Sequence, residues 1–244
     1  MPLAVANARR RSGGRPEPRA LASGSQISKA KVKARRSSGE NGSALIEFLL
    51  VSVFLVFPLL LGTAVFGLSL VRANQVSEVC RDAGHMYAYN VDFSQASSQN
   101  MLVQMAKGLN MTTSGGNGVI ILSTVTYVAA NDCAAAGLAT GNCTNVNNTV
   151  VVRRIVIGNP QLHASAFGTP SASLLDSEGK INTADYLTNA SAVAANFSDV
   201  IPLSSGQYAY MAEAFVTSPD FNFFRNSPDW SWIMPGVISA RSIF

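Results

Sequence analysis

Histidine, cysteine and charge are all scarce in this chain. It has two histidines and three cysteines in 244 residues, and only 13% of positions are charged. His85 and His163 fall in no metal-ligand spacing such as H-E-x-x-H, so no metal centre is expected. No G-x-S-x-G occurs. Ser177-Glu178-Gly179-Lys180 matches S-x-x-K formally, but the companion S-D-N and K-T-G elements are missing, and Asp176-Ser-Glu-Gly-Lys reads as turn chemistry. Gly115-Gly116-Asn117-Gly118 precedes a strand instead of following one, which makes it a loop and not a phosphate cradle. Asp176, Glu178, Asp185 and Asp199 read as a solvated loop face and not as a catalytic carboxylate pair. These absences leave no catalytic class with its residues in place, and the expectation is a protein that is not an enzyme and uses no cofactor.

Charge is missing altogether from positions 48–71, which run Phe-Leu-Leu-Val-Ser-Val-Phe-Leu-Val-Phe-Pro-Leu-Leu-Leu-Gly-Thr-Ala-Val-Phe-Gly-Leu-Ser-Leu-Val. As a helix these residues rise about 36 Å, enough for a hydrocarbon layer of about 30 Å. The stretch predicts one membrane span. It is too long for the apolar core of a secretory signal, and no A-x-A follows it, so the span is expected to be retained. Pro58 brings no N–H and predicts a kink or a loosened hydrogen bond. Gly62 and Gly67 leave flat places, which suit either ordinary lipid-facing composition or the approach of another helix.

The basic character of the chain belongs to its first segment. Residues 1–41 carry ten bases against Glu17 and Glu40, whereas the remainder has eight bases and twelve acids. The leader is rich in Ser, Gly, Ala and Pro without apolar periodicity, which predicts disorder. Such a tail can bind nucleic acid. Placed directly before a span it fits the positive-inside rule better, with the tail in the cytoplasm and everything after Val71 exported.

One acid, Glu47, stands at the mouth of the span. Near a helix end it can reach headgroup water at little cost. Its neighbours suggest more. Gly42-Ser43-Ala44-Leu45-Ile46-Glu47-Phe48 resembles the prepilin peptidase site of type IV pilin-like proteins, with cleavage between Gly42 and Ser43. A glycine lets an extended backbone enter a protease cleft without a side chain in the way. The resemblance implies that the new Ser43 amine and Glu47, with Phe48 beside it, serve assembly, the glutamate answering a neighbouring subunit's amino terminus within lipid.

With Phe66-Gly67 and Asn74-Gln-Val-Ser-Glu-Val-Cys-Arg-Asp-Ala-Gly84, this start resembles the TadE-like family, minor pilin-like proteins of the tight-adherence pilus apparatus. The resemblance covers residues 36–90. Relatives often carry the proline nearer the glutamate than Pro58 is, and the leader here is long. The resemblance implies a bacterial inner-membrane protein crossing once with its C-terminus outside, which after processing either enters an extracellular pilus or stays at its base. Its implied partners are the prepilin peptidase, other pilin-like subunits, the pilus assembly platform and the membrane, with no nucleic acid.

Beyond the span, Val76, Val79, Cys80 and Ala83 recur at helical spacing, so the helix is expected to continue to Gly84 or Asn90. Ser94 reads as the cap of a helix to about Asn110, with Ala96, Met101, Leu102, Met105 and Leu109 as its buried stripe. Strands are expected at 119–128, 150–157, 207–217 and 236–244, and a helix at 183–197 using Leu187, Ala190, Val193 and Phe197. The aromatic segment 219–235 reads as a cover for the sheet or as a contact surface. Cys133 and Cys143 share one loop, and in an exported domain they are read as a disulfide. Cys80 reads as a small buried apolar residue.

The expected architecture is α+β: a leader (1–42), a transmembrane helix (43–71), its exported continuation (72–90), and a pilin-like domain (91–244) with an antiparallel sheet of about four strands. The expected function is a processed minor pilin-like subunit acting in pilus assembly, adhesion or secretion. The alternative is an uncleaved, singly anchored exported binding or scaffold protein, which does not require Gly42 and Glu47.

Overall fold

A computed structural model describes residues 40–217 and 236–244. The basic leader 1–39 and the aromatic segment 219–235 lie outside the described residues, and so do the expectations attached to them. The chain divides into two units, 1–50 and 51–244.

Helical backbone is continuous from Glu40 to Ala88. It comprises α1 (Glu40–Val51), a π-helical turn (Ser52–Val56) and α2 (Phe57–Ala88). In the π turn the Phe57 N–H bonds to the Ser52 carbonyl, five residues back. The cause lies one residue on. Pro58, in the first turn of α2, has no N–H, and its ring crowds the carbonyl four residues earlier, so a widened turn relieves the clash. The loosened hydrogen bond expected at Pro58 therefore takes the form of a π turn just before it.

The second half of α2 turns apolar on one face only. Val76, Val79, Cys80, Ala83, Gly84 and Tyr87 are buried, the stripe read from the sequence extended by one turn. The helix stops where Asn90 takes a left-handed backbone conformation, φ 65°.

That stripe packs on a four-stranded antiparallel sheet of order β2-β1-β3-β4. The strands are β1 (Gly118–Tyr127), β2 (Thr149–Gly158), β3 (Tyr208–Thr217) and β4 (Val237–Ile243), each within two residues of its expected ends. Ile120 and Leu122 of β1, Ile155 and Ile157 of β2, and Ala212 and Ala214 of β3 face α2. Small residues allow the close approach: a Cβ at Gly84 would lie 2.5 Å from the Phe244 ring and 2.7 Å from the Ser242 hydroxyl. Cys80 is 1% exposed, its Sγ 3.3 Å from the Ala212 carbonyl and 3.4 Å from that of Ala240, and burial raises its pKa.

The opposite sheet face is covered by the long connection between β2 and β3, which sets Phe167, Ala194 and Phe197 on Val125, Val151 and Met211. Burial on both faces explains why β1 opens on the unalternating apolar run Val119-Ile-Ile-Leu122 and keeps Ser123, Thr124 and Thr126 buried as well.

Two helices differ from expectation. Ser94 caps nothing: its N–H and hydroxyl bond to Asp92, and α3 (Ala96–Met105) begins after Gln95. Its buried line is Leu102, Ala106 and Leu109, while Ala96, Met101 and Met105 are exposed. The helix expected over 183–197 ends early, as α5 (Thr183–Thr188), because Asn189 is extended and its side chain caps the 3-10 turn Ala190–Ala192.

Candidate functional site

Gly42 and Ser43 lie near the start of α1, and Glu47 and Phe48 follow one turn later. Ser43 and Glu47 are four positions apart, so both side chains fall on one face of the helix. Ser43, Glu47 and Phe48 are exposed, Phe48 at 71%, and a Cβ at Gly42 would meet nothing within 4 Å. The space a side chain at Gly42 would occupy is therefore open, at the helix end where the first N–H groups have no intrahelical partner.

The apolar surface that follows has no protein partner among the described residues. Phe54, Leu59 and Phe66 are 75%, 67% and 62% exposed. The helix from Gly42 to Ala88 is the one described helix long and apolar enough to cross a membrane.

In the domain, Cys133 and Cys143 are joined as a disulfide, with Cα atoms 6.0 Å apart. Cys133 sits on α4 (Ala130–Ala135), and the bridge is buried with Val128, Val150 and Leu187. Beside it, at the ends of β1 and β3, opens a groove of about 260 Å³ lined by Tyr127, Asp132, Thr183, Tyr186 and Tyr208. Asp132 accepts the Ala129 N–H at 2.7 Å, which closes the first turn of α4 and fixes the carboxylate.

The sheet face away from α2 holds a buried polar cluster that sequence reasoning missed. Glu213 of β3 is fully buried and accepts from the Ser165 hydroxyl, from the Ala166 N–H at 3.2 Å and from Arg241 of β4 at 3.3 Å. Arg154 of β2 is 4% exposed and donates to Ser123 at 3.1 Å, to the Gly168 carbonyl at 2.5 Å and to Ser165 at 3.3 Å. Burial lowers the Arg154 pKa to about 10, against the opposing pull of Glu213, so it stays charged at neutral pH. Arg241 also lies 4.3 Å over the Phe167 ring. The cluster ties residues 165–168 to three strands. Its signal was present in the sequence: alternation puts Glu213 between Met211 and Phe215 on an inward face, and an inward acid needs a partner.

The formally matched S-x-x-K segment is a turn. Asp176 accepts the N–H groups of Glu178 and Lys180, both at 2.8 Å, and these bonds lower its pKa. Lys180 pairs with Glu178 at 2.6 Å. His85 packs on Phe244 and His163 stacks on Phe215, far apart in sequence and on different elements. Among the described residues no group of three His, Cys, Asp or Glu is placed to hold a metal. No family model, curated protein or solved structure matches this chain.

Proposed function

We propose that this protein is a TadE-like minor pilin subunit, anchored in the bacterial inner membrane by residues 48–71 and processed between Gly42 and Ser43. The observation that carries the reading is the placement of Gly42, Ser43 and Glu47 in one exposed helical segment that runs into an apolar helix, whose far half is built into a folded domain. The basic leader holds the precursor in the bilayer with its C-terminus outside. Cleavage removes that hold and creates a Ser43 amine one turn from Glu47, a cation and an anion that neighbouring subunits can pair. A glycine in the first helical turn keeps local unwinding for the protease inexpensive, by about 1 kcal/mol relative to alanine.

The test is the amino terminus of the mature protein, read by mass spectrometry from cells with an active prepilin peptidase. Gly42→Leu leaves full-length precursor, and Glu47→Gln leaves processed protein that assembles poorly. Chains that all retain residues before Ser43 would falsify the proposal and favour the uncleaved, singly anchored reading.

A further inference from the structure

We infer that the groove beside the disulfide binds a neutral pyranose sugar. Its place follows from the path of α2 along the sheet. Cys80 lies at Ala212, Gly84 at Ser242 and Phe244, and Tyr87 at Thr124 and Tyr210, to whose hydroxyl-bearing neighbour Thr124 it bonds at 2.8 Å. The next paired residues in that direction, Thr126 and Tyr208, line the groove. The groove thus sits at the end of the sheet away from the apolar half of the helix, where a solute meets it without approaching a bilayer.

The lining chemistry selects the ligand. A pyranose presents an apolar C–H face and a rim of hydroxyl groups. Tyr127, Tyr186 and Tyr208 line the groove, Tyr186 packed in part on the buried clusters behind it, the Tyr127 hydroxyl donating to Asn147 at 3.2 Å and Tyr208 the most exposed, and none of these rings packs on another aromatic ring among the described residues. Thr183 adds a hydroxyl. Asp132, the one charged residue in the lining, has one oxygen engaged by the Ala129 N–H and makes no ion pair among the described residues. It repels phosphates and carboxylates and accepts hydrogen bonds from sugar hydroxyls. The wall is stiff because Asp132 adjoins Cys133, whose disulfide holds α4. The volume is close to the lower end for ligand sites, about 300 Å³, and fits a small molecule. An organic cation is the rival, since tyrosine faces attract ammonium groups, but it makes no use of the hydroxyl groups.

The test uses the full chain in a polyoxyethylene detergent, which contains neither sugar nor ammonium. Saturation-transfer NMR is recorded with methyl glycosides of glucose, mannose and galactose, and with tetramethylammonium. Transfer to the ring C–H protons of at least one glycoside is expected, weakened about tenfold by Tyr208→Ala and retained in Tyr208→Phe, which keeps the ring. Tyr208 is 56% exposed, so its truncation leaves the fold intact. The inference is overturned by an absence of transfer to every glycoside, by transfer unaffected in Tyr208→Ala, or by tetramethylammonium alone occupying the site. None of these outcomes bears on processing at Gly42.

Discussion

Arg154 and Glu213 place two charged groups on the sheet face away from α2, linked through the Ser165 hydroxyl. Arg154→Met removes the donors that satisfy Ser123, Ser165 and the Gly168 carbonyl, and leaves Glu213 with fewer compensating charges. A loss of about 3 kcal/mol is expected, read from denaturant midpoints of the solubilised protein. A loss within about 0.5 kcal/mol, ordinary for a surface site, would show that the cluster does not hold the connection in place.

Asp92 offers a second residue-level test, through pH. Hydrogen bonds from Ser94, then Arg153 at 2.8 Å, hold its carboxyl down at about 2. A carboxylate lowered in the folded state stabilises above its unfolded pKa of about 3.9, and that contribution fades as pH falls toward the folded value. Asp92→Asn should therefore melt below wild type at pH 6, with the gap closing between about pH 4 and pH 2. A gap constant across that range contradicts the assignment.

Among the elements, the connection from β1 to β2 depends most on one bond. The Cys133–Cys143 bridge joins residues ten positions apart and is buried with Val128, Val150 and Leu187. Replacing both cysteines by alanine should cost about 2 to 3 kcal/mol, seen as a lowered Tm. Wild-type protein under reductant should move the same way, and the alanine variant should not respond.

The elements also show which local signals the sequence carried. All four strands were legible because β-branched and aromatic runs between turn residues have few other uses. The stripe of α2 was legible because Val76, Val79, Cys80 and Ala83 fill one face over a full turn. On α3 the expected stripe was right at Leu102 and Leu109, which are buried, and wrong at Ala96, Met101 and Met105, which are exposed, while buried Ala106 was missed. A ten-residue helix touching its domain along a narrow line leaves adjacent apolar positions hard to separate. Phe93, fully buried, escaped notice because it lies in a turn where periodicity gives no information. The groove was not legible at all, since Tyr127 and Tyr208 come together through the strands while Asp132 and Thr183 are brought in on α4 and α5 from elsewhere in the sequence.

For the whole molecule, the arrangement of charge around the apolar helix fixes an expected topology. Ten bases lie in residues 1–41, and the chain beyond has more acids than bases. A phosphatase reporter fused after Phe244 should be active, and a cytoplasm-dependent fluorescent reporter at the same point should be dark. The reverse pattern contradicts that orientation and the pilin reading.

The order of strands in the sheet sets how the domain comes together. Central β1 pairs with β2 about thirty positions away, but its other neighbour, β3, is nearly a hundred positions distant, as in Val119 opposite Phe215. The first pairing closes early and the second must wait for the whole connection to emerge, at a rate limited by loop-closure entropy. Without β3, Ile120 and Leu122 lack their partners Ala214 and Ala212. A chain in which only the first pairing has formed carries an open β1 edge and a bare sheet face together, and that combination is the one most open to aggregation.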